Sequence, residues 1–348
     1  MTARPVRTFL SAAAFVLATL SGAAAPDARA TETDQFTLPP SPLDDLGPDL
    51  GAMVLAILRE EVARLNAGID ERVQLKPQAA SERVNEREFA QHVYEQTGLG
   101  LPESTIERAL RYDTFGGRNV RFKPAYADSI YAWVSAPFPL AHIMTDCPTI
   151  RLYGIDQGTD KIGHVFQQGY EYYTRFEDSI AGGADEATAI AGAVQYGVLT
   201  ERGLYGILLT GVYSNGDLAG NYAGLKFYRN LFHEVRIGDR TLAPILRRDG
   251  AHWAVDPGRD GSDLMRPYIT DHLNEALNPS AYYFSIERIR SAVRDRCASW
   301  SKQVPDFDRA SYRAHLERSK SFFGESYGWE LPEDRTVTLM ECFPPAAQ

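Results

Sequence analysis

The chain has 348 residues, of which 44% are hydrophobic and 24% charged, a composition typical of a globular protein. Its formal net charge of −10 disfavours nucleic acid and anionic membranes as partners, because both attract proteins through a basic surface. The sequence contains no Gly-x-Ser-x-Gly, His-Glu-x-x-His, Walker or dinucleotide-binding pattern. It therefore disfavours a serine hydrolase, a zincin and any enzyme with a nucleotide cofactor.

The first 30 residues have the pattern of an export signal. Two arginines precede an apolar run over residues 9–25, and the tripeptide 28–30 has small residues at its first and last positions. We therefore expect a signal peptide over residues 1–30, a mature chain that begins near Thr31, and a periplasmic or secreted location. Because no later segment has 18 uninterrupted apolar residues, we expect no membrane-spanning helix there, and helices that face water on one side.

The three cysteines are Cys147, Cys297 and Cys342. In an oxidising compartment they permit one disulfide and leave one free thiol. We expect the disulfide between Cys297 and Cys342, where it would join a C-terminal helix to the tail of the chain.

After the signal, the sequence indicates a short lead-in followed by a single domain. Residues 31–48 are rich in proline and aspartate, which predicts an extended segment. Residues 49–348 are predicted to form one mainly α domain, a compact helical bundle with a minor β hairpin. Apolar residues at helical spacing predict helices over 49–67 and 81–97, and the Ser-x-x-Glu sequence at 104–107 predicts a capping box that begins a third.

Residues 118–156 are rich in proline and aromatic residues, but apolar and polar positions alternate poorly. Because turn signals are frequent, we predict a loop-rich aromatic wall here and no sheet. The aromatic residues of the segment include Phe122, Tyr126, Tyr131, Trp133, Phe138 and Tyr153. Such a wall would offer stacking surfaces to sugar rings.

The motif core of the domain spans residues 159–232. Helices are predicted over 160–178, 184–205 and 215–232. Of the 28 glycines in the chain, 14 lie between Gly154 and Gly224. A glycine inside a helix costs about 1 kcal/mol relative to alanine, so this density requires a reason. Close packing of helices supplies one, because small residues let two backbones approach.

Beyond residue 232 the sequence predicts one hairpin and three helices. Residues 235–246 and 251–255 can pair as strands, with Asp249-Gly250 as the turn. The helices are predicted over 268–277, 285–300 and 308–323. On the first of them His272 and Glu275 would share one side, as part of a capped surface helix or as the opposite wall of a site.

Asp160 and His164 are four residues apart, so on a helix they share one face, which Gln168 continues. An aspartate in this position can orient an imidazole as a base or add a ligand for a metal. A carboxylate in the first turn of a helix is also favoured by the helix dipole alone. A buried histidine, in turn, is often a structural hydrogen-bonding group, so spacing alone leaves both interpretations open.

The next two predicted helices also carry polar residues among small and apolar ones. Glu201 follows a segment of mostly small and apolar residues, where burial would raise its pKa toward that of a general acid. A surface ion pair with Arg202 is the simpler alternative. Ser214 and Asp217 have the spacing of a capping box, and Asn221 lies one turn further along the face of Asp217.

The order of these residues resembles a known family. Asp-Lys-x-x-His on one helix, Glu on the next and Ser-x-x-Asp-x-x-x-Asn-x-x-Gly on a third are similar to the VanZ-like proteins. The periplasmic YfiM-type lipoproteins share a similar pattern. The resemblance covers residues 160–232 and implies a site made of Asp160, Lys161, His164, Glu201, Ser214, Asp217, Asn221 and Gly224.

The chain also departs from this family. VanZ-like proteins hold these helices in a membrane, whereas the helices predicted here are too polar to span one. Their glutamate is usually followed by a glutamine, where this chain has Leu204-Tyr205. The family is known mainly for resistance to glycopeptide antibiotics, so the resemblance implies the location of a site more than the reaction.

Together these observations favour an exported cell-envelope enzyme, a hydrolase or lyase acting on an envelope glycan or a lipid-linked envelope precursor. Glu201 and Asp217 would be the acid–base pair, with His164 oriented by Asp160. The candidate substrate-binding residues are Lys161, Ser214, Asn221, Tyr213 and Gln168. No cofactor is expected, although His164, Glu201 and Asp217 could together hold a divalent metal. The alternative is a non-catalytic envelope protein that binds a glycan or a protein partner, in which these polar residues are structural.

Overall fold

The chain folds mainly into α-helices, as predicted. The computed structural model describes residues 32–75, 85–100, 103–132, 147–203, 206–208 and 210–343. The predicted signal peptide, the first residues of the helix predicted over 81–97, and Trp133 and Phe138 of the predicted aromatic wall lie outside the described residues.

The helices are α1 Gly47–Leu75, α2 Glu86–Thr97, α3 Thr105–Tyr112, α4 Thr159–Phe166, α5 Gln168–Ala181, α6 Glu186–Arg202, α7 Asn215–Asn230, α8 Ile286–Gln303 and α9 Arg309–Ser319. The strands are β1 Arg121–Phe122, β2 Thr149–Leu152, β3 Ile155–Gly158, β4 Val212–Tyr213, β5 Val235–Ile237, β6 Arg240–Leu242, β7 Leu246–Asp249, β8 His252–Val255 and β9 Ala281–Tyr282. The strands form small antiparallel sheets in the orders β1-β2-β3, β4-β9, β5-β6 and β7-β8.

Helix α7 lies at the centre of the fold. All of its residues are buried, and α4, α5 and α6 pack around it. The expectation that the helices face water on one side is therefore wrong for α7. Its polar side chains are buried because they are paired inside the protein, as when Tyr268 Oη donates to Asn230 Oδ1 at 2.6 Å. No helix within the described ranges is both long and apolar enough to cross a bilayer.

Glycines let α7 approach its neighbours closely. A Cβ atom added to Gly224 would lie 2.1 Å from the carbonyl oxygen of Val165 and 2.6 Å from Cα of Gly169. A Cβ atom on Gly220 would lie 3.0 Å from Cβ of His164. The prediction that glycine density reflects close helix packing is confirmed at these crossings.

The first helix of the motif core is broken in two. The sequence predicted one helix over 160–178, whereas α4 ends at Phe166 and α5 begins at Gln168. Between them Gln167 has φ −90° and ψ −68°, and its side-chain Nε2 donates to the carbonyl oxygen of Gly100 at 2.5 Å. The carbonyl of Phe166 accepts the hydroxyl of Tyr228 at 2.9 Å. These contacts, formed with other parts of the chain, are invisible in the local sequence.

The segment predicted as a loop-rich wall contains a sheet. Strands β1, β2 and β3 pair in antiparallel fashion, and a two-residue turn at Tyr153-Gly154 joins β2 to β3. Both turn residues have positive φ, 52° and 85°, which is unusual for a tyrosine. Asp45 accepts hydrogen bonds from both turn amides, at 2.8 and 2.7 Å, so a distant carboxylate stabilises this turn. The predicted aromatic wall is not confirmed.

Two further predictions after residue 232 are wrong in part. A hairpin forms at this place as β7–β8, but its turn is Gly250-Ala251, since Asp249 pairs with His252. Residues 235–242 pair with themselves as β5–β6. The helix predicted over 268–277 is replaced by short 3₁₀ turns at Arg266–Tyr268 and Asp271–Leu273. There Asn274 Oδ1 accepts the amides of residues 276 and 277, which competes with a regular helix.

The remaining predictions agree with the structure more closely. Helix α1 covers and extends the predicted 49–67, and Ser104 with Glu107 forms the predicted capping box of α3. Helices α8 and α9 lie where 285–300 and 308–323 were predicted, although α9 ends at Ser319. The disulfide between Cys297 and Cys342 is confirmed, and Cys147 is free and buried.

Candidate functional site

Lys161 lies at the centre of a buried cluster of charged residues. The cluster consists of Asp160, Lys161, His164, Glu201, Asp217 and Glu275, and is called the charge cluster below. The Nζ atom of Lys161 donates to Asp160 Oδ2 at 2.7 Å, to Glu275 Oε1 at 2.5 Å and to Asp217 Oδ1. Lys161 is 0% exposed, so all three ammonium protons are satisfied by carboxylates and none by bulk water.

The electrostatics of Lys161 and Asp217 are coupled. Burial lowers the pKa of Lys161, but the carboxylates of Asp160, Asp217 and Glu275 outweigh it and hold that pKa well above its ordinary value. Burial raises the pKa of Asp217, but the charges of His164 and Lys161 outweigh it and hold that pKa below its ordinary value. Both groups are therefore charged at neutral pH.

His164, on α4, donates from both ring nitrogens toward α7. Its Nδ1 lies 2.9 Å from Asn221 Oδ1, and its Nε2 lies 3.1 Å from Asp217 Oδ2. Burial lowers the pKa of His164, but Asp217 raises it to about 9, so the ring is an imidazolium at neutral pH. With 12% of its side chain exposed, His164 is less buried than Lys161, Asp217 and Glu275.

Glu201, near the end of α6, joins the cluster through Ser214. Its Oε1 accepts the backbone amide of Ser214 at 2.8 Å. Ser214 caps α7 by accepting the amide of Asp217 at 3.1 Å, and its hydroxyl donates to Glu275 Oε1 at 3.1 Å. Burial, reinforced by the charge of Asp217, raises the pKa of Glu201 to about 8. The simpler interpretation of Glu201 is wrong, because Arg202 pairs with Glu330 at 2.5 Å.

The structure changes the role predicted for Asp160. The sequence predicted that Asp160 orients His164, whereas Asp217 and Asn221 hold the imidazole. Asp160 instead accepts from Lys161 and from Thr33 Oγ1, the latter at 2.9 Å. Asp160 and His164 are indeed one turn apart on α4, but the imidazole of His164 contacts α7 and not Asp160.

Two predicted substrate-binding residues have other surroundings. The hydroxyl of Tyr213 donates to the carbonyl oxygen of Gly328 at 2.7 Å. Gln168 lies beyond the break between α4 and α5, and its Oε1 is buried with no hydrogen-bond donor in the described part of the chain. The predicted residues that meet in one hydrogen-bonded network are Asp160, Lys161, His164, Glu201, Ser214, Asp217 and Asn221.

Sequence reasoning missed the contribution of the N-terminal segment. Besides the Thr33 contact with Asp160, Gln35 Oε1 accepts the backbone amide of Glu275 at 2.5 Å. Glu32 Oε1 accepts the hydroxyl of Thr210 at 3.1 Å, and burial raises the pKa of Glu32 well above its ordinary value. No local pattern marks these residues, since their partners are more than 100 residues away.

The sequence singled out Glu275, but it predicted that Glu275 shares one side of a helix with His272, and this is wrong. His272 does not share a helix face with it: the imidazole contacts Thr270 Oγ1 at 3.1 Å and the carbonyl of Ser321 at 2.9 Å. The Oε1 atom of Glu275 accepts a hydrogen bond from Lys161, and the hydroxyl of Tyr131 donates to Oε2 at 3.3 Å. Burial raises the pKa of Glu275.

Three carboxylates of the charge cluster could hold a metal ion. One oxygen atom from each of Asp160, Asp217 and Glu275 lies within 4.8 Å of the others. This set replaces the predicted trio of His164, Glu201 and Asp217. Oxygen ligands of this kind suit hard cations such as Mg²⁺, Ca²⁺ or Mn²⁺. Because the Lys161 ammonium contacts all three side chains, a cation and this ammonium would compete for the same carboxylates.

Comparison with models of known families, with curated proteins and with solved structures gives no match. The resemblance to VanZ-like proteins therefore stays a prediction that depends on the residues of the motif.

Proposed function

We propose that the chain is an exported cell-envelope enzyme, a hydrolase or lyase that acts on an envelope glycan or a lipid-linked envelope precursor. The observation that supports this proposal is the opposite shift of two neighbouring acids. Ser214 links Glu201, whose pKa is raised to about 8, to Asp217, whose pKa is lowered. Two carboxyl groups with divergent pKa values can supply an acid and an anion to one reaction at neutral pH.

In this proposal Glu201 is the proton donor. Its carboxyl group is neutral below pH about 8, because burial and Asp217 disfavour the anion. It would protonate the leaving oxygen as the scissile bond breaks. In a hydrolase a water molecule would supply the incoming hydroxyl group, and its remaining proton would return to the Glu201 carboxylate. Asp217 would remain ionised and keep His164 charged, so that the imidazolium stabilises negative charge that develops on the substrate.

The test is Glu201→Gln assayed on purified envelope glycan and on a lipid-linked precursor. We expect turnover to be abolished while the melting temperature holds, because glutamine keeps the shape and the acceptor for the Ser214 amide but cannot donate the acidic proton. In the unsubstituted protein, turnover should fall as pH rises through about 8, where Glu201 ionises. Glu186→Gln, at the exposed beginning of the same helix, is the matched control and should keep full turnover.

Unchanged turnover in Glu201→Gln, or a rate that rises through pH 8, would exclude Glu201 as the donor. Metal content, measured on protein purified without chelator, tests whether the three carboxylates around Lys161 hold a divalent ion in the native protein. No nucleic acid or nucleotide cofactor enters this proposal.

One observation favours the alternative, a non-catalytic envelope protein. All three protons of the Lys161 ammonium and both N–H groups of His164 are already accepted inside the protein. A network that is so completely paired can hold the helices together without any catalytic role. A loss of several kcal/mol of stability in His164→Ala, with no turnover of either substrate by the unsubstituted protein, would select this alternative.

A further inference from the structure

A cavity of about 550 Å³ lies outside the charge cluster and shares no residue with it. It is built by four separate parts of the chain: the β2–β3 turn, the β5–β6 hairpin, the 3₁₀ turns near residue 270 and the end of α9 with the loop after it. Its basic and acidic lining residues are Arg240, Arg266, Asp271, His272, His315 and Arg318. The volume is within the range of small-molecule sites.

The charge of this cavity is opposite to that of the chain. Three arginines and a single aspartate line it, in a protein of net charge −10. Arg266 is paired with Asp263 at 2.8 Å and lies over the ring of Tyr153 at 4.7 Å. Arg240 forms no ion pair with any carboxylate of the described residues. A concave surface with such a local excess of guanidinium groups attracts an anion.

The two histidines add hydrogen-bond donors in fixed positions. Arg318 Nη2 lies 3.3 Å from His315 Nδ1, so this nitrogen is the acceptor and the ring proton is on Nε2. That Nε2 is buried and has no hydrogen-bond partner among the residues that the structure describes. A buried donor without an acceptor costs stability unless a ligand supplies the acceptor. His272 is already fixed by Thr270 and Ser321, and so contributes shape.

We propose that this cavity binds a phosphate-bearing small molecule. Guanidinium groups from Arg240 and Arg318 would contact the phosphate oxygens, since arginine matches phosphate geometry with paired N–H donors. His315 Nε2 would donate a further hydrogen bond. The apolar lining formed by Ile155, Ile269 and Phe323 would contact the part of the ligand that carries the phosphate. The same chemistry fits a free phosphate ester and the headgroup of an anionic lipid.

The experiment is calorimetric titration of the full chain with inorganic phosphate, glycerol 3-phosphate and glycerol, and sedimentation with phosphatidylglycerol vesicles. We expect glycerol 3-phosphate to bind and glycerol not to bind. Phosphate that binds as tightly as the ester would assign a free phosphate as the ligand, and binding confined to vesicles would assign a lipid headgroup. Each of these results supports the cavity as a phosphate site.

The variant that carries both Arg240→Gln and Arg318→Gln should weaken binding by at least about tenfold, because two charge-assisted contacts are lost. The matched control is Arg236→Gln on the same hairpin. Arg240 pairs across the hairpin with Ile237 and Arg236 with Thr241, so Arg236 lies on the opposite face. Melting temperature checks that each variant is folded.

The proposal fails if no probe binds the unsubstituted chain. It fails equally if the double variant binds as tightly as the unsubstituted chain, or if Arg236→Gln weakens binding to the same extent. None of these results depends on Glu201, so the outcome is separate from that of the proposed catalytic activity.

Discussion

At the scale of single residues, the most consequential side chain is the ammonium of Lys161. A fully buried charge is tolerated only where partners replace its hydration, and here three carboxylates do so. Removing it leaves three acids facing one another, of which Asp217 alone keeps a counter-charge, the imidazolium of His164. We therefore predict that Lys161→Met lowers the free energy of unfolding by about 3–5 kcal/mol, measured by chemical denaturation at neutral pH.

Millimolar Ca²⁺ should restore part of this loss, since Asp160, Asp217 and Glu275 offer oxygen ligands to a divalent cation. The control is Lys226→Met on α7, whose partner Glu325 has a side chain that is 40% exposed. A more exposed partner can be solvated by water, so this change should cost less than half as much. Equal losses in the two variants, or no response to Ca²⁺, would contradict the assigned role.

How well the site could be predicted differs from residue to residue. His164, Asp217 and Asn221 were found because helical spacing places His164 on one face with Asp160, and Asp217 on one face with Asn221. The partner of His164 was assigned wrongly, since spacing says which residues share a face but not which face meets which. Thr33 and Gln35 could not be found at all, because their contacts with Asp160 and Glu275 join distant parts of the chain.

At the scale of secondary structure elements, the crossing of α5 and α7 depends on two glycines. A Cβ atom on Gly169 would lie 2.5 Å from Cα of Gly224, closer than side chains approach a backbone. Because a Cβ atom on either glycine would meet the backbone of the other helix, the contact can be relieved only by separating the helices. We predict that Gly224→Ala lowers the free energy of unfolding by about 1–3 kcal/mol through this overpacking.

Gly192→Ala is the matched control, because Gly192 is inside α6 and a Cβ atom there would meet nothing within 4 Å. Alanine is the better helix former, so this change should stabilise the protein by about 0.5–1 kcal/mol. Denaturation curves of the two variants should therefore shift in opposite directions. A stabilising Gly224→Ala would show that the helices do not meet as closely as described.

Helices and turns were predicted correctly where the local sequence determines them. They were missed where contacts with distant parts of the chain determine the structure. Helices α6, α7 and α8 lie about where the sequence predicted them, and the α3 capping box follows from two side chains three residues apart. The β2–β3 turn contains a tyrosine with positive φ, which Asp45 stabilises from more than 100 residues away. The predicted helix after residue 268 fails because Asn274 satisfies two backbone amides itself.

At the scale of the whole molecule, the N-terminal segment connects two parts of the core. Gln35 contacts the backbone of Glu275 in the charge cluster, and the carbonyl of the next residue, Phe36, accepts the indole N–H of Trp300 on α8 at 2.8 Å. The side-chain Nε2 of Gln35 also donates to the carbonyl of Asp156 at 3.2 Å. A segment that was predicted as an extended lead-in is therefore part of the interior around the cluster.

This connection predicts that Gln35→Leu lowers the free energy of unfolding by about 2 kcal/mol. The change leaves the Glu275 amide without the Gln35 acceptor, and it removes one of the side-chain donors to the Asp156 carbonyl, which keeps its hydrogen bond from Asn274 Nδ2 at 2.7 Å. The matched control is Gln91→Leu, on the exposed face of α2, where the side chain contacts Glu95 alone in the described structure and the change should stay within about 0.5 kcal/mol. Hydrogen exchange at the Glu275 amide adds a local measurement: it should accelerate in Gln35→Leu and not in Gln91→Leu. If the two variants have equal stability and equal exchange, the segment lies on the core without contributing to it.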